Sequence, residues 1–189
     1  MNKTLLTLAL LAAAAAGGFA VLTARDLDRR EQDVLSRWTE LHRAEQAQFA
    51  EMPAVLALAD AQPALDAAVR TNARSRCSLL AQFDSGGPVI DDARRFDLYK
   101  QVRAECTGGL FRLLAALRDD PPLAADSHVQ ALGRSLTQGQ ANVDGARERY
   151  RQALAAYNEG IQHLPRGLAA RLLGYEERPD FVRYADAGR

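Results

Sequence analysis

The three histidines are the side chains best suited to bind a metal, and the sequence places them on separate segments. They are His42, His128 and His163. Carboxylate-bridged iron centres in helical bundles need a Glu-x-x-His motif on each of two helices and two further glutamates. This chain has no such motif, and the single pair that stands one turn apart, Glu159 and His163, is a weak signal. We therefore predict no metal site, no cofactor and no catalytic residues.

Two other groups of residues could bind phosphate. Gly86 and Gly87 precede Pro88 rather than the lysine of a phosphate-binding loop, which predicts a turn. A second group, between residues 147 and 166, has mixed charge, which is typical of a solvent-exposed helix face. It comprises Arg147, Glu148, Arg149, Arg151 and Arg166.

The two cysteines, Cys77 and Cys106, form neither a redox motif nor a zinc motif. If their helices form a hairpin around residues 84–90, Cys77 lies about 10 Å from the turn and Cys106 about 22 Å, at 1.5 Å per residue. This offset exceeds the distance of roughly 7 Å that a disulfide allows between Cα atoms. We therefore predict two free, buried thiols, which favours the cytoplasm.

Composition indicates a helical protein. The 189 residues include 24 basic and 24 acidic side chains, so the formal net charge is zero, which argues against general nucleic-acid binding. The apolar fraction of 48% exceeds that of a disordered chain, while aromatic residues are only 6%. The chain lacks the β-branched and aromatic runs of a sheet.

The amino-terminal segment is apolar from Thr4 to Ala24, between Lys3 and Arg25. This length of about 20 residues suffices to cross a bilayer as a helix. We predict a retained anchor, because the apolar run continues to Val21 and Leu22. The alternative is a signal peptide cleaved after the Gly-Phe-Ala sequence at residues 18–20.

The basic residues that flank this segment predict its orientation. Arg25, Arg29 and Arg30 follow it, whereas Lys3 alone precedes it. Basic residues concentrate on the cytoplasmic side of membrane helices. We therefore expect a single-pass protein of the inner membrane, with a short amino terminus outside and the rest in the cytoplasm. Signal cleavage would instead place the domain in the periplasm.

Apolar residues at helical spacing predict four amphipathic stretches after the anchor, at 26–49, 53–83, 91–117 and 127–163. Proline and glycine mark their boundaries, at Pro53, at 84–88 and around Pro165. The predicted fold is all-α, a long antiparallel four-helix bundle continuous with or linked to the transmembrane helix. The domains are then the anchor at 1–25, the bundle at 26–165 and a basic, partly apolar tail at 166–189.

The fourth stretch and the tail resemble the LemA family of bacterial membrane-anchored proteins. The residues that carry the resemblance are Val143-Asp-Gly-Ala-Arg147-Glu-Arg-Tyr150, Ala153, Tyr157-Asn158, Ile161, Pro165, Ala169, Gly174-Tyr175 and Phe181, with Trp38, Pro53, Asp120-Pro121, Leu123 and Leu132 upstream. The chain departs from the family pattern where Arg151 replaces an asparagine and Leu164 a phenylalanine. The resemblance implies a divergent member with a helical bundle on one membrane helix and no established enzyme activity.

We therefore expect a non-enzymatic scaffold or interaction partner. The family motif supplies a possible contact surface for an unknown protein partner, formed by Arg147, Tyr150, Tyr157, Asn158 and Pro165. The alternative role of these residues is packing and helix-end bonding within the bundle. The alternative function is an exported sensor or ligand-binding domain, which predicts a polar cavity among the helices.

The tail also suggests a contact with the lipid bilayer. In an up-down bundle the fourth helix returns to the membrane, so the segment after it should lie near the headgroups. Basic residues among apolar neighbours suit an anionic lipid surface. The basic residues are Arg166, Arg171, Arg178 and Arg183, and the apolar ones are Leu168, Leu172, Leu173, Tyr175, Phe181 and Tyr184. Alternatively, these apolar residues cover the end of the bundle.

Overall fold

A computed structural model describes residues 3–63, 65–81, 83, 89–163, 165–178 and 180. These residues form helices and connecting turns without any strand, so the all-helical prediction is confirmed for this part of the chain. The predicted Gly86-Gly87 turn and the tail residues Phe181, Arg183 and Tyr184 lie outside the described residues.

Seven α-helices and one short 3-10 turn follow one another along the described chain. They are α1 (Lys3–Phe49), α2 (Met52–Asp60), α3 (Ala67–Ala81), the 3-10 turn (Val89–Asp91), α4 (Ala93–Arg118), α5 (Pro121–Ala124), α6 (Ser127–Gln162) and α7 (Arg166–Leu173). The predicted anchor and first stretch are one helix, α1. The predicted second stretch is divided into α2 and α3 by residues 61–66, where Pro63 lacks the N–H that a continuous helix needs.

Aspartate side chains cap the start of two long helices, α4 and α6. The carboxylate of Asp92 accepts hydrogen bonds from the backbone N–H groups of Arg94 and Arg95, at 2.9 and 3.2 Å, and thereby caps α4. Asp126 caps α6 in the same way, at 2.8 Å from the N–H of His128. At the other end of the chain, Gly174 terminates α7 in the left-handed conformation, with φ of 82°.

The described chain divides into two compact units. The first comprises the described parts of residues 1–39 and 149–178. Here α1 and the end of α6 run antiparallel. Trp38 packs edge-to-face on Tyr150 at 5.7 Å, and further along the pair the Arg30 guanidinium donates to the Ala156 carbonyl at 2.7 Å. The helix α7 lies beside α1, where Arg166 forms an ion pair with Asp26 at 3.4 Å.

The second unit is centred on α4, with the end of α1, α2, α3 and the first part of α6 around it. Gly109 of α4 lies so close to α3 that an added Cβ would stand 3.2 Å from the Ala73 Cα. Of the Gly108-Gly109 pair, it is therefore Gly109 that allows the close contact with α3. Between α1 and α6, the Gln48 side chain donates to that of Gln140 at 2.8 Å.

The cysteines correct one prediction: Cys77 and Cys106 form a disulfide, with their Cα atoms 4.6 Å apart. The prediction of free thiols was wrong because it assumed that α3 and α4 reach the connecting turn at the same level. Cys77 lies four residues before the end of α3 and Cys106 thirteen after the start of α4, so α4 extends about 14 Å past α3, at 1.5 Å per residue. The 3-10 turn packs along this extension. The support that free thiols gave to a cytoplasmic location is therefore lost.

Candidate functional site

The second unit contains a buried polar cluster of Glu45, Arg103 and Tyr99. The Arg103 guanidinium forms an ion pair with the Glu45 carboxylate, and the Tyr99 hydroxyl donates a hydrogen bond to the same carboxylate. The Glu45 and Arg103 side chains are only 2% and 6% exposed. A buried charge is tolerated only when it is paired and hydrogen-bonded, which these contacts achieve for Glu45.

Burial raises the pKa of Glu45, and the charge of Arg103 and the hydrogen bond from Tyr99 oppose this rise. Arg147, on α6, acts on the same carboxylate from a greater distance and forms its own ion pair with Asp144 at 3.0 Å. Burial, followed by the like charge of Arg103, lowers the pKa of Arg147. The cluster therefore joins α1, α4 and α6 by charge.

This cluster was not predicted from the sequence, although a signal was present. Glu45 follows Val34, Trp38 and Leu41 at steps of three and four, and therefore continues the buried stripe of α1. A carboxylate in such a position indicates a buried partner of opposite charge. The sequence alone does not say which of the many arginines provides it.

A half-open cleft of about 240 Å³ adjoins the cluster. Its walls are mainly apolar. It is lined by His42, Glu45, Gln46, Phe49, Ala50, Met52, Cys77, Leu80 and Tyr99. Such a cleft can hold a small, largely apolar molecule that forms one or two hydrogen bonds.

The residues predicted as a contact surface are engaged mainly within the fold. Tyr150 and Tyr157 are buried, and the Tyr157 hydroxyl donates to the Glu176 carbonyl at 3.0 Å. The Asn158 side-chain oxygen accepts from the backbone N–H of Arg178 at 3.4 Å. Pro165 directly precedes α7. Arg147 belongs to the second unit and the others to the first. Tyr150 and Tyr157 thus pack within the fold, whereas Pro165 is exposed, and the predicted contact surface stays a prediction.

The arginines predicted to contact lipid differ in their surroundings. Arg178 forms an ion pair with Glu31 at 2.6 Å, and Arg166 forms one with Asp26 at 3.4 Å. Arg171 is exposed on α7, and Arg183 lies outside the described residues. Arg166 and Arg178 thus hold residues 166–178 against α1.

A tyrosine fixes the segment after α7 to α1. The Tyr175 hydroxyl contacts the Ala24 carbonyl at 3.3 Å and donates to the Asp28 carboxylate. This hydrogen bond, together with burial and the negative charge of Asp28, raises the pKa of Tyr175 to about 12. Tyr175 therefore contacts α1 at the end of the apolar segment and just beyond it.

The Glu159–His163 pair, considered above for metal binding, lines a second cleft of about 300 Å³ with Arg30 and Arg166. Within the part of the chain that the structure describes, no three His, Cys, Asp or Glu side chains gather as a metal site.

Comparison with protein-family models yields a match over most of the chain. A family model described as the LemA family matches residues 21–188, nearly the whole chain. The comparison with curated proteins found no match. The family model covers both compact units and the tail, and it begins within the apolar segment of α1. The chain belongs to the LemA family.

Proposed function

We propose that this protein is a non-enzymatic scaffold or interaction partner, a helical bundle anchored in the bacterial inner membrane by the first part of α1. One observation supports the anchor above all others. The described side chains of α1 are exposed from Thr4 to Leu22, Ala20 being partly covered, and a buried stripe begins at Thr23. The exposed part is apolar and about 28 Å long, close to the thickness of the hydrocarbon core. Lipid is the natural environment for such a surface.

The contacts of the polar cluster support the non-enzymatic part of the proposal. Both oxygens of Glu45 are engaged, one by Arg103 and the other by Tyr99. A general base must be within reach of a substrate proton. Because the carboxylate is engaged within the fold, the cluster is suited to hold three helices in register.

The flanking charges and the disulfide favour opposite orientations of the bundle. Arg25, Arg29 and Arg30 favour a cytoplasmic bundle with a short amino terminus outside. The Cys77–Cys106 disulfide favours an oxidising compartment, because cytosolic thiol systems keep such pairs reduced. The distribution of basic residues predicts orientation only as an average over many membrane proteins. Cytosolic thiol systems, by contrast, would reduce the disulfide in every molecule of this protein. We therefore propose that the bundle faces the periplasm.

Thiol labelling of Ser36→Cys tests this orientation. Ser36 is exposed on α1, beyond the apolar segment, and Cys77 and Cys106 are replaced by serine in this variant, so that position 36 carries the single thiol in either compartment. In right-side-out membrane vesicles, a membrane-impermeant maleimide should label the variant before permeabilisation. Labelling only after permeabilisation would support the cytoplasmic orientation.

A truncated chain tests the anchor itself. Removal of residues 1–22 should release the protein from carbonate-washed membranes, and continued retention would contradict the anchor.

The cleft beside Glu45 is the observation behind a second candidate function, an exported sensor or ligand-binding domain, although its walls are mainly apolar and differ from the polar cavity that this function predicted. Native mass spectrometry of the chain extracted from its own membranes should then show a bound small molecule. Ala50→Trp should remove it, because Ala50 lines the cleft, whereas Ala47→Trp, at an exposed position outside the lining, should retain it. Identical spectra for the wild type and Ala50→Trp, without bound mass, would contradict this function.

A further inference from the structure

The helix α7 has its large apolar side chains on the outside. Leu168, Leu172 and Leu173 are 59%, 81% and 48% exposed, whereas Gly167 and Ala170 are buried. Leu168 and Leu172 are one turn apart and lie on the face turned away from the two small residues. A helix on a water-exposed surface normally has the reverse arrangement, with leucines inward.

Small inward residues allow α7 to lie very close to the end of α6. A Cβ added at Gly167 would stand 2.7 Å from the Ile161 carbonyl oxygen. The Gly167 N–H donates to the His163 carbonyl at 2.8 Å. The tight contact fixes the direction of α7, and the exposed leucines therefore do not result from a loosely attached tail.

The helix lies at the level where α1 changes from an exposed to a buried helix. Arg166, its first residue, reaches Asp26, and Tyr175, just after its end, reaches Ala24 and Asp28. Asp26 is four residues from Leu22, the last exposed apolar residue of the segment, or about 6 Å along the helix axis. If residues 4–22 occupy the hydrocarbon core, α7 contacts α1 about one helical turn beyond its edge.

We propose that α7 is an interfacial membrane helix, which inserts Leu168, Leu172 and Leu173 into the boundary between lipid headgroups and acyl chains. This inference rests on the proposed membrane anchor and changes the nature of the predicted lipid contact. Arg166 and Arg178 pair with Asp26 and Glu31 and position the helix. The leucines make the contact, so it does not require anionic lipid.

Three single-cysteine variants of the full chain in lipid nanodiscs test the proposal. Leu172→Cys reports on α7, Leu11→Cys on the apolar segment, and Leu35→Cys, at an exposed leucine about 20 Å further along α1 than Leu22, is the matched control. Each carries an environment-sensitive fluorophore, while the native disulfide remains intact. A quencher attached to the upper part of the lipid acyl chain reports exposure of the fluorophore to lipid. Iodide in the aqueous phase reports its exposure to water.

We expect the lipid quencher to act at least about twofold more strongly on position 172 than on position 35, since interfacial helices bury about 5–10 Å into this boundary. The result should be the same in nanodiscs of zwitterionic lipid and in those with anionic lipid. Equal, iodide-sensitive emission at positions 172 and 35 would overturn the inference. Protection of position 172 from both quenchers would also overturn it, because another protein surface would then cover α7. Position 11 separates the two failures: if it too escapes lipid quenching, the anchor is wrong.

Discussion

The ion pair between Glu45 and Arg103 offers the sharpest test of how the second unit is held together. Glu45→Gln and Arg103→Met each remove one charge and leave the other buried. Glu45→Gln keeps an oxygen that can accept the hydrogen bond of Tyr99. The double variant removes both charges, and the three proteins with the wild type form a double-mutant cycle.

The burial of the pair sets the expected magnitude. Because the two side chains are 2% and 6% exposed, each single variant should lower the free energy of unfolding by about 3–5 kcal/mol. The double variant should lose less than either single variant, and should lie within about 1 kcal/mol of the wild type, because no buried charge remains without a partner. The single variants lose more stability than the double variant because each leaves one desolvated charge without its partner. An ion pair at the surface would not show this difference, because its charges stay hydrated.

The two single variants should also differ in their response to pH. In Arg103→Met, the attraction that opposes the raised pKa of Glu45 is gone, so the folded state prefers the protonated acid more strongly. A raised folded-state pKa gives stability that is present below the unfolded pKa and is lost as pH rises. Arg103→Met should therefore regain stability from pH 7 towards pH 4.5, relative to the wild type. Glu45→Gln should not, because it has no carboxyl group at position 45 to take up a proton.

Urea unfolding of the full chain in detergent micelles, followed by circular dichroism, measures all four proteins at both pH values. Losses below about 1 kcal/mol in both single variants would show that the pair is solvated and not buried. Losses that add in the double variant would refute the coupling between Glu45 and Arg103. Either result would show that the Glu45–Arg103 ion pair does not hold the second unit together.

Three further predictions concern the disulfide, the glycine pair and the phenol at the end of the first unit. Reduction of Cys77–Cys106, which closes a loop of 29 residues, should lower the free energy of unfolding by about 3–4 kcal/mol, and equal urea midpoints with and without reductant would refute this. Gly108→Ala should raise the free energy of unfolding by up to about 1 kcal/mol, because alanine favours a helix over glycine. Gly109→Ala should give no such gain, because its Cβ would press against Ala73 of α3. Equal gains in urea midpoint for the two variants would contradict the close contact. In an absorbance titration at 295 nm, Tyr175→Phe should remove a transition near pH 12, and removal of one near pH 10 would show that the bond to Asp28 does not form in solution.

The core of the long helices was predictable because burial follows a local repeat. Val34 and Leu41 of α1, and Val129, Val143 and Tyr150 of α6, are buried at the positions that their spacing indicated. The start of α6 at Ser127 was also predictable, since Asp126 provides a capping carboxylate directly before it. Both signals require only neighbours in sequence.

The remainder depends on relationships between distant segments. The disulfide requires the axial offset of α3 and α4, which a symmetric hairpin does not predict. The partner of Glu45 is determined by packing, and the sequence offers many arginines. The eight-residue helix α7 is too short for a reliable periodicity, and its leucines face outward, against the usual rule. Its position beside Asp26 and Asp28 emerges only from the fold.

The intact mass of the native chain, recovered from carbonate-washed membranes, tests the proposed anchor most directly. We expect the complete 189-residue polypeptide of 20.6 kDa in the membrane pellet. A shorter polypeptide that begins near Ala20 and remains in the soluble fraction would show that the segment is a cleaved signal sequence and would contradict the anchored bundle.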